Sequence, residues 1–138
     1  MINFVTMNML KKITIILLGI TVGCANPTKK YLPAENGLDA GRQFIEASKN
    51  GDFNQAEFYL LKDAANSAIL KVEENIYREK DKEGRQAMKL SSINIKSVQD
   101  VNDSTVKMEY YYSSDTVVHQ LWILQKNKTW LVDLTKKN

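Results

Sequence analysis

What this chain lacks narrows its chemistry first. Across 138 residues there are one cysteine, one histidine and two prolines. With no second cysteine the chain can form no internal disulfide, so any folded domain must be held by its core. One histidine and one cysteine are too few for a zinc site built from those ligands, and no other cofactor is implied. No glycine-rich loop of the Gly-x-Gly-x-x-Gly or Gly-Lys-Ser/Thr kind occurs, so the usual phosphate cradles are missing. Charge of one sign is also scarce. Without Lys11 and Lys12 the chain carries 17 basic against 16 acidic residues, a net charge of +1, and no basic field to hold nucleic acid. The longest apolar stretch, residues 13–22, is about half of the roughly 20 residues that span a bilayer.

That apolar stretch is nevertheless the clearest signal present. Lys11-Lys12, residues 13–22, Gly23 and then Cys24 supply a basic n-region, an apolar h-region and a small residue before a cut. The segment resembles a bacterial lipoprotein signal with the lipobox Thr21-Val22-Gly23-Cys24, in which Thr21 stands where leucine is usual. The resemblance implies cleavage after Gly23 and a diacylglycerol of palmitate type on the Cys24 thiol. It also implies a place in the cell envelope, on the outer membrane of a two-membrane bacterium, since Ala25-Asn26 lack the aspartate of inner-membrane retention. Met7 and Met9 are alternative starts, each giving a tighter n-region. Residues 26–33, with both prolines, read as a polar tether. The expected organisation is a signal peptide over 1–23, a lipidated cysteine and tether over 24–35, and one domain over 36–138.

Within that domain the periodicity is helical first and strand-like later. Leu38, Ala40, Gly41, Phe44, Ile45 and Ala47 form an apolar stripe that Asn50-Gly51 closes. Asp52 with Gln55 predicts a capping box before Phe53, Ala56, Leu60 and Leu61. Asp63 is placed to cap a third helix buried through Ala65, Ile69, Val72 and Ile76, and the charged run 77–84 reads as its solvated end.

From Ser92 onward four strands form an antiparallel meander. Two-residue loops at Asn102-Asp103, Ser114-Asp115 and Asn127-Lys128 place Ile95 opposite Tyr110, Met108 opposite Leu121 and Ile123 opposite Val132. One face then gathers Ile93, Ile95, Val106, Met108, Tyr110, Tyr112, Val117, His119, Leu121, Ile123, Trp130, Val132 and Leu134, and should lie under the helices. The other gathers polar residues, Asp133 among them, with an apolar patch of Val98, Tyr111, Val118, Trp122, Leu124 and Leu131. The expected fold is α+β, with N-terminal helices on one face of a curved four-stranded antiparallel sheet.

Residues 37–63 with Phe44-Ile45-Glu46-Ala47 and Asn50-Gly51-Asp52-Phe53, then Val101-Asn102-Asp103-Ser104-Thr105, then 126–134 with Trp130-Leu131-Val132-Asp133-Leu134, carry a second resemblance. They look like the small lipoprotein-type domains of the nuclear transport factor 2-like superfamily, which implies a cone between sheet and helices. Isomerase-like members place an acid or a His-Asp pair inside that cone. The inward strand positions here hold no acid, only His119, Tyr110 and Tyr112 as ionisable groups. These three are the candidate pocket residues, although a histidine satisfied by a tyrosine hydroxyl or backbone group is the commoner case. The expectation is therefore a non-catalytic module binding a ligand or protein, with no catalytic residues assigned. An envelope hydrolase or isomerase using His119 and Tyr110 is the alternative, and a structural dimerisation module the third. Trp122, Tyr111, Val118, Leu124 and Leu131 are the candidate interface for a homodimer or an envelope partner, because superfamily members often pair through that sheet face.

Overall fold

A computed structural model describes residues 30–136. Within it four helices precede a four-stranded antiparallel sheet that is curved and unclosed. The elements are α1 (Gly37–Asn50), α2 (Phe53–Phe58), α3 (Ala64–Glu79), α4 (Lys82–Leu90), β1 (Ile93–Asn102), β2 (Thr105–Tyr112), β3 (His119–Lys126) and β4 (Thr129–Asp133). The strands lie in the order of the chain, as a meander of hairpins requires.

The first helix forms where its stripe predicts. Asn36 caps it by accepting the Asp39 amide at 2.9 Å, and Ala40, Gly41, Phe44, Ile45 and Ala47 face inward. Gly51 ends it at φ 77°, the left-handed conformation that glycine adopts without steric cost. Helix α1 lies across all four strands. At Gly41 the approach is close enough that a Cβ would meet Met108 Cε at 2.6 Å, so a side chain there would displace the end of the buried Met108 side chain. Ile45, Leu60, Met108, Ile123 and Val132 are fully buried, each such burial contributing about 1.5–3 kcal/mol.

Asp52 caps α2 as expected, accepting the Gln55 amide at 3.1 Å, while the Gln55 side chain turns to Gln43 at 3.4 Å rather than closing a box. The chain then runs beside β4. Leu61 donates to the Val132 carbonyl and Val132 to that of Tyr59, both at 2.8 Å, so the outer edge of β4 is covered.

Helix α3 departs from its expected orientation. Asp63 caps it through the Asn66 amide at 2.8 Å, but the buried positions are Asn66, Leu70 and Tyr77, one residue on from the apolar stripe. Val72 and Ile76 remain 56 % and 54 % exposed. The reason is a polar pin. Asn66, wholly buried, donates to Asp63 at 2.8 Å and Asp133 at 3.3 Å and accepts the Leu134 amide at 2.7 Å. Asp133 lies on the outer face opposite Trp122, as expected, but is buried there beside Asn66 and Thr135 rather than facing water.

The run 77–84 is likewise not one solvated end. Helix α3 continues to Glu79, and Asp81 starts a separate α4 by accepting the Gly84 amide at 2.7 Å.

Register follows the expected pairs, Ile95 with Tyr110, Met108 with Leu121 and Ile123 with Val132. The first hairpin reaches it by another route. Asn102 pairs with Thr105, so the turn is Asp103-Ser104 rather than Asn102-Asp103, and two irregularities in β1 restore the pairing by Ile95. Between them Val98 falls opposite Met108, on the core side rather than the outer face. The second connection spans residues 113–118 rather than two residues; Val117 and Val118 lie in it, 59 % and 44 % exposed, neither on a sheet face. Asn127-Lys128 is the expected tight turn, with φ of 50° and 63° at its two central residues.

Residues 31–35 run back along α2. The Tyr59 hydroxyl donates to the Leu32 carbonyl at 2.8 Å, and that of Tyr31 to Asp52 at 3.2 Å. Cys24 and Gly23, with the rest of the signal and tether before Lys30, lie outside the described residues. Among the described residues no helix is long and apolar enough to cross a membrane.

Candidate functional site

A cavity of about 390 Å³ lies between α1, α3 and the β2–β3 end of the sheet. Strand alternation builds its floor. Tyr110 and Tyr112 project from the same face of β2, and His119 stands directly opposite Tyr110 on β3. The structure thus brings the three candidate pocket residues together. The His119 ring stacks on Tyr110 at 5.2 Å between centroids and meets Tyr112 edge-on at 5.6 Å. Tyr110 and Tyr112 are perpendicular at 5.7 Å.

His119 Nε2 is buried without a hydrogen-bond partner, and so is Ser48 Oγ on the α1 wall of the same cavity. Neither tyrosine hydroxyl nor backbone therefore satisfies that nitrogen. Buried polar atoms left in this way are uncommon in a folded interior, where a partner normally offsets desolvation. Burial pushes the Tyr110 phenol far above its ordinary range, with Tyr112 and Glu73 adding to the effect. Burial also raises Tyr112, against a hydrogen bond from Tyr110 that lowers it. Both phenols are therefore neutral at physiological pH.

The strands bring no acid to this cavity, but α3 does. Glu73 lines it, three residues after buried Leu70 and four before buried Tyr77. The expectation of a pocket without an inward acid, drawn from the strands alone, is corrected by this helix. Burial raises the Glu73 carboxyl above the usual glutamate range, and the group has no hydrogen bond or ion pair within the described residues. The spacing Asn66, Leu70, Glu73, Tyr77 was the available signal; the more apolar stripe one residue away obscured it.

A second residue not anticipated from the sequence is Lys49. Its ammonium is buried and held by the Ser91 carbonyl at 2.8 Å, the Lys89 carbonyl at 3.3 Å and Glu46 at 3.1 Å. It ties the end of α1 to the α4–β1 junction, so its charge is engaged before any ligand arrives. A wider groove of about 610 Å³ runs outside α1 past Asp39, Arg42 and Glu46. Glu46 there is already bonded to Lys49 and Asn50, and no unpartnered buried atom points to a ligand in it.

Of the candidate interface, Trp122, Tyr111, Leu124 and Leu131 occupy the face alternate to the core and are half-buried, while Val118 sits in the 113–118 connection. Lys107 and Lys136 place their ammonium groups 5.7 Å and 5.3 Å from the Trp122 ring centroid, partly covering it. The Trp122 indole nitrogen is buried and unpartnered. Among the described residues no cluster of three or more histidine, cysteine or acidic side chains is arranged to hold a metal. Comparison with known proteins finds no matching family model, curated protein or solved structure.

Proposed function

We propose that this chain is a lipid-anchored envelope protein whose folded domain binds a small molecule in the cavity floored by His119, Tyr110 and Tyr112. The observation that carries the binding reading is the pair of unpartnered atoms, His119 Nε2 and Ser48 Oγ, on the walls of one 390 Å³ cavity. At interior packing density such a space takes roughly 15–20 non-hydrogen atoms. Helices on a curved sheet around an internal cavity are in keeping with a nuclear transport factor 2-like cone. Anchorage rests on the lipobox at Thr21-Val22-Gly23-Cys24.

Two measurements test this reading. Intact mass of membrane-extracted protein should show cleavage after Gly23 and added acyl mass on Cys24; an uncleaved chain overturns the anchor. A neutral fluorescent apolar probe, N-phenyl-1-naphthylamine, should bind the parent and be excluded from Ser48→Trp, whose indole fills the cavity. Equal binding by the two overturns the cavity as the site.

One observation favours a second reading. Glu73, a carboxyl with raised proton affinity beside an imidazole and two phenols, is the kind of group that moves protons in isomerases and hydrolases. Turnover abolished by both Glu73→Gln and His119→Ala would establish it. A homodimer through Trp122, Tyr111, Leu124 and Leu131 is compatible with either reading, and a Trp122→Glu variant sedimenting like the parent counts against it.

A further inference from the structure

The cavity's charge is unbalanced, and the imbalance bears on what fits there. Glu73 is the one carboxylate on its walls, facing two lysines, Lys49 and Lys80. Lys49 is consumed by Glu46 and two carbonyls. Lys80 makes no ion pair with Glu73, and burial is the one influence on the Glu73 carboxyl, so neither lysine offsets its charge. The remaining titratable groups lining the cavity are Tyr77 on the same helix, one turn after Glu73, Tyr110 and Tyr112 on β2, whose phenols are neutral, and His119 on β3. Glu73 is half-buried, so its carboxylate is partly desolvated without a protein partner, and a cation brought in from outside offsets that cost.

The surroundings of Glu73 suit one kind of cation. Tyr110 and Tyr112 meet at 88°, with His119 against both, so the floor is a corner of aromatic rings. Phenol faces attract a positive charge, more strongly when water is excluded. His119 Nε2 and Ser48 Oγ are unpartnered polar atoms free to bond a ligand's polar group, such as a hydroxyl, whereas an anionic ligand would meet Glu73. We propose, resting on the cavity reading above, that the ligand is an organic ammonium ion held by the Glu73 carboxylate over the rings of Tyr110, Tyr112 and His119. A strongly hydrated metal ion would gain little from such walls. An alkylated ammonium, weakly hydrated and bulky, uses both the charge and the apolar surface.

Binding is then linked to pH. The cation pairs with ionised Glu73, so its affinity falls as acid protonates that carboxyl, a loss setting in above the usual glutamate range.

The test uses the full chain in non-ionic detergent and two probes of one shape, choline and its uncharged isostere 3,3-dimethylbutan-1-ol, by titration calorimetry and saturation-transfer NMR. Choline is expected to bind at least tenfold more tightly at neutral pH, with the ratio shrinking as pH falls. In Glu73→Gln, checked for folding by circular dichroism, the ratio should collapse toward one. Equal affinities in the parent overturn the ammonium assignment and leave the cavity reading standing. A choline preference that survives Glu73→Gln assigns the charge recognition elsewhere and also overturns it. Binding of neither probe counts against both. The parent's own ratio and pH profile decide the matter even if the variant does not fold.

Discussion

Replacing Asn66 by alanine tests the idea that a polar pin, not an apolar stripe, sets the rotation of α3. Asn66 makes three side-chain hydrogen bonds, to Asp63 at 2.8 Å, to Asp133 at 3.3 Å and from the Leu134 amide at 2.7 Å. Each ordinary bond contributes about 0.5–1.5 kcal/mol, and bonds to a carboxylate about 1.5–3 kcal/mol. The Asp63 bond lies near the surface and belongs to the low end, whereas Asp133 is 6 % exposed and would lose one of its donors in a buried place. Thr135 still donates to Asp133 through its amide and hydroxyl, which moderates that loss. The expected destabilisation is about 3 kcal/mol in urea unfolding followed by circular dichroism. For a domain of this size that lowers the melting temperature by roughly 10–20 °C. Asn66→Asp sharpens the test, because it keeps an acceptor for Leu134 but adds a carboxylate beside Asp63 and Asp133. It should be less stable than Asn66→Ala at neutral pH, with the gap closing as pH falls and the carboxylates protonate. A loss below about 0.5 kcal/mol for Asn66→Ala, the range of a neutral surface change, would refute the pin.

Other expectations follow from single positions. Gly51→Ala places a Cβ at φ 77° and 2.6 Å from the buried Tyr77 ring, and should cost at least about 1–2 kcal/mol in the same assay. Lys128→Gly relieves a left-handed residue in a tight hairpin turn and should stabilise by about 1 kcal/mol, read as a higher urea midpoint with an unchanged slope. Glu73 gives a pH signature without ligand. Its carboxyl has a raised folded-state pKa, so the folded chain holds its proton more tightly; stability is full below the unfolded glutamate range and lost as pH rises through the folded value. Glu73→Gln removes that slope, so the variant should gain on the parent as pH rises, and a constant difference across the range would contradict the partial desolvation of Glu73.

Much of the fold could be read before its shape was known, and the failures have physical causes. Helix α1 announced itself because its stripe, its Asn50-Gly51 stop and its packing surface all agree. The strands paired as expected because alternation constrains register more strongly than turn position does: the first turn was misplaced by one residue, yet Ile95 still met Tyr110. Val98 shows the limit of that rule, since an irregularity beside Lys96 leaves no mark in hydrophobic alternation and moves every residue before the next one to the opposite face. Helix α4 carries no apolar period that would reveal it, because it buries no residue and its Asp81 cap sits in a charged run. The candidate floor of Tyr110, Tyr112 and His119 was legible from strand parity alone. Glu73 was not, because the rotation of α3 is decided by Asn66 meeting a strand 67 residues away, a contact that local pattern cannot contain.

The hold of Tyr59 on Leu32 and of Tyr31 on Asp52 sets a length as well as a path. If Cys24 carries the lipid, residues 25–30 separate it from Tyr31, which sets an upper bound of roughly 25 Å on the covalent distance between the two. That bound is about the width of a small domain. On that condition the start of the domain can lie no farther than this from the lipid, within reach of what is released from, inserted into or seated on that surface. A partner residing deeper in the compartment would have to come to it.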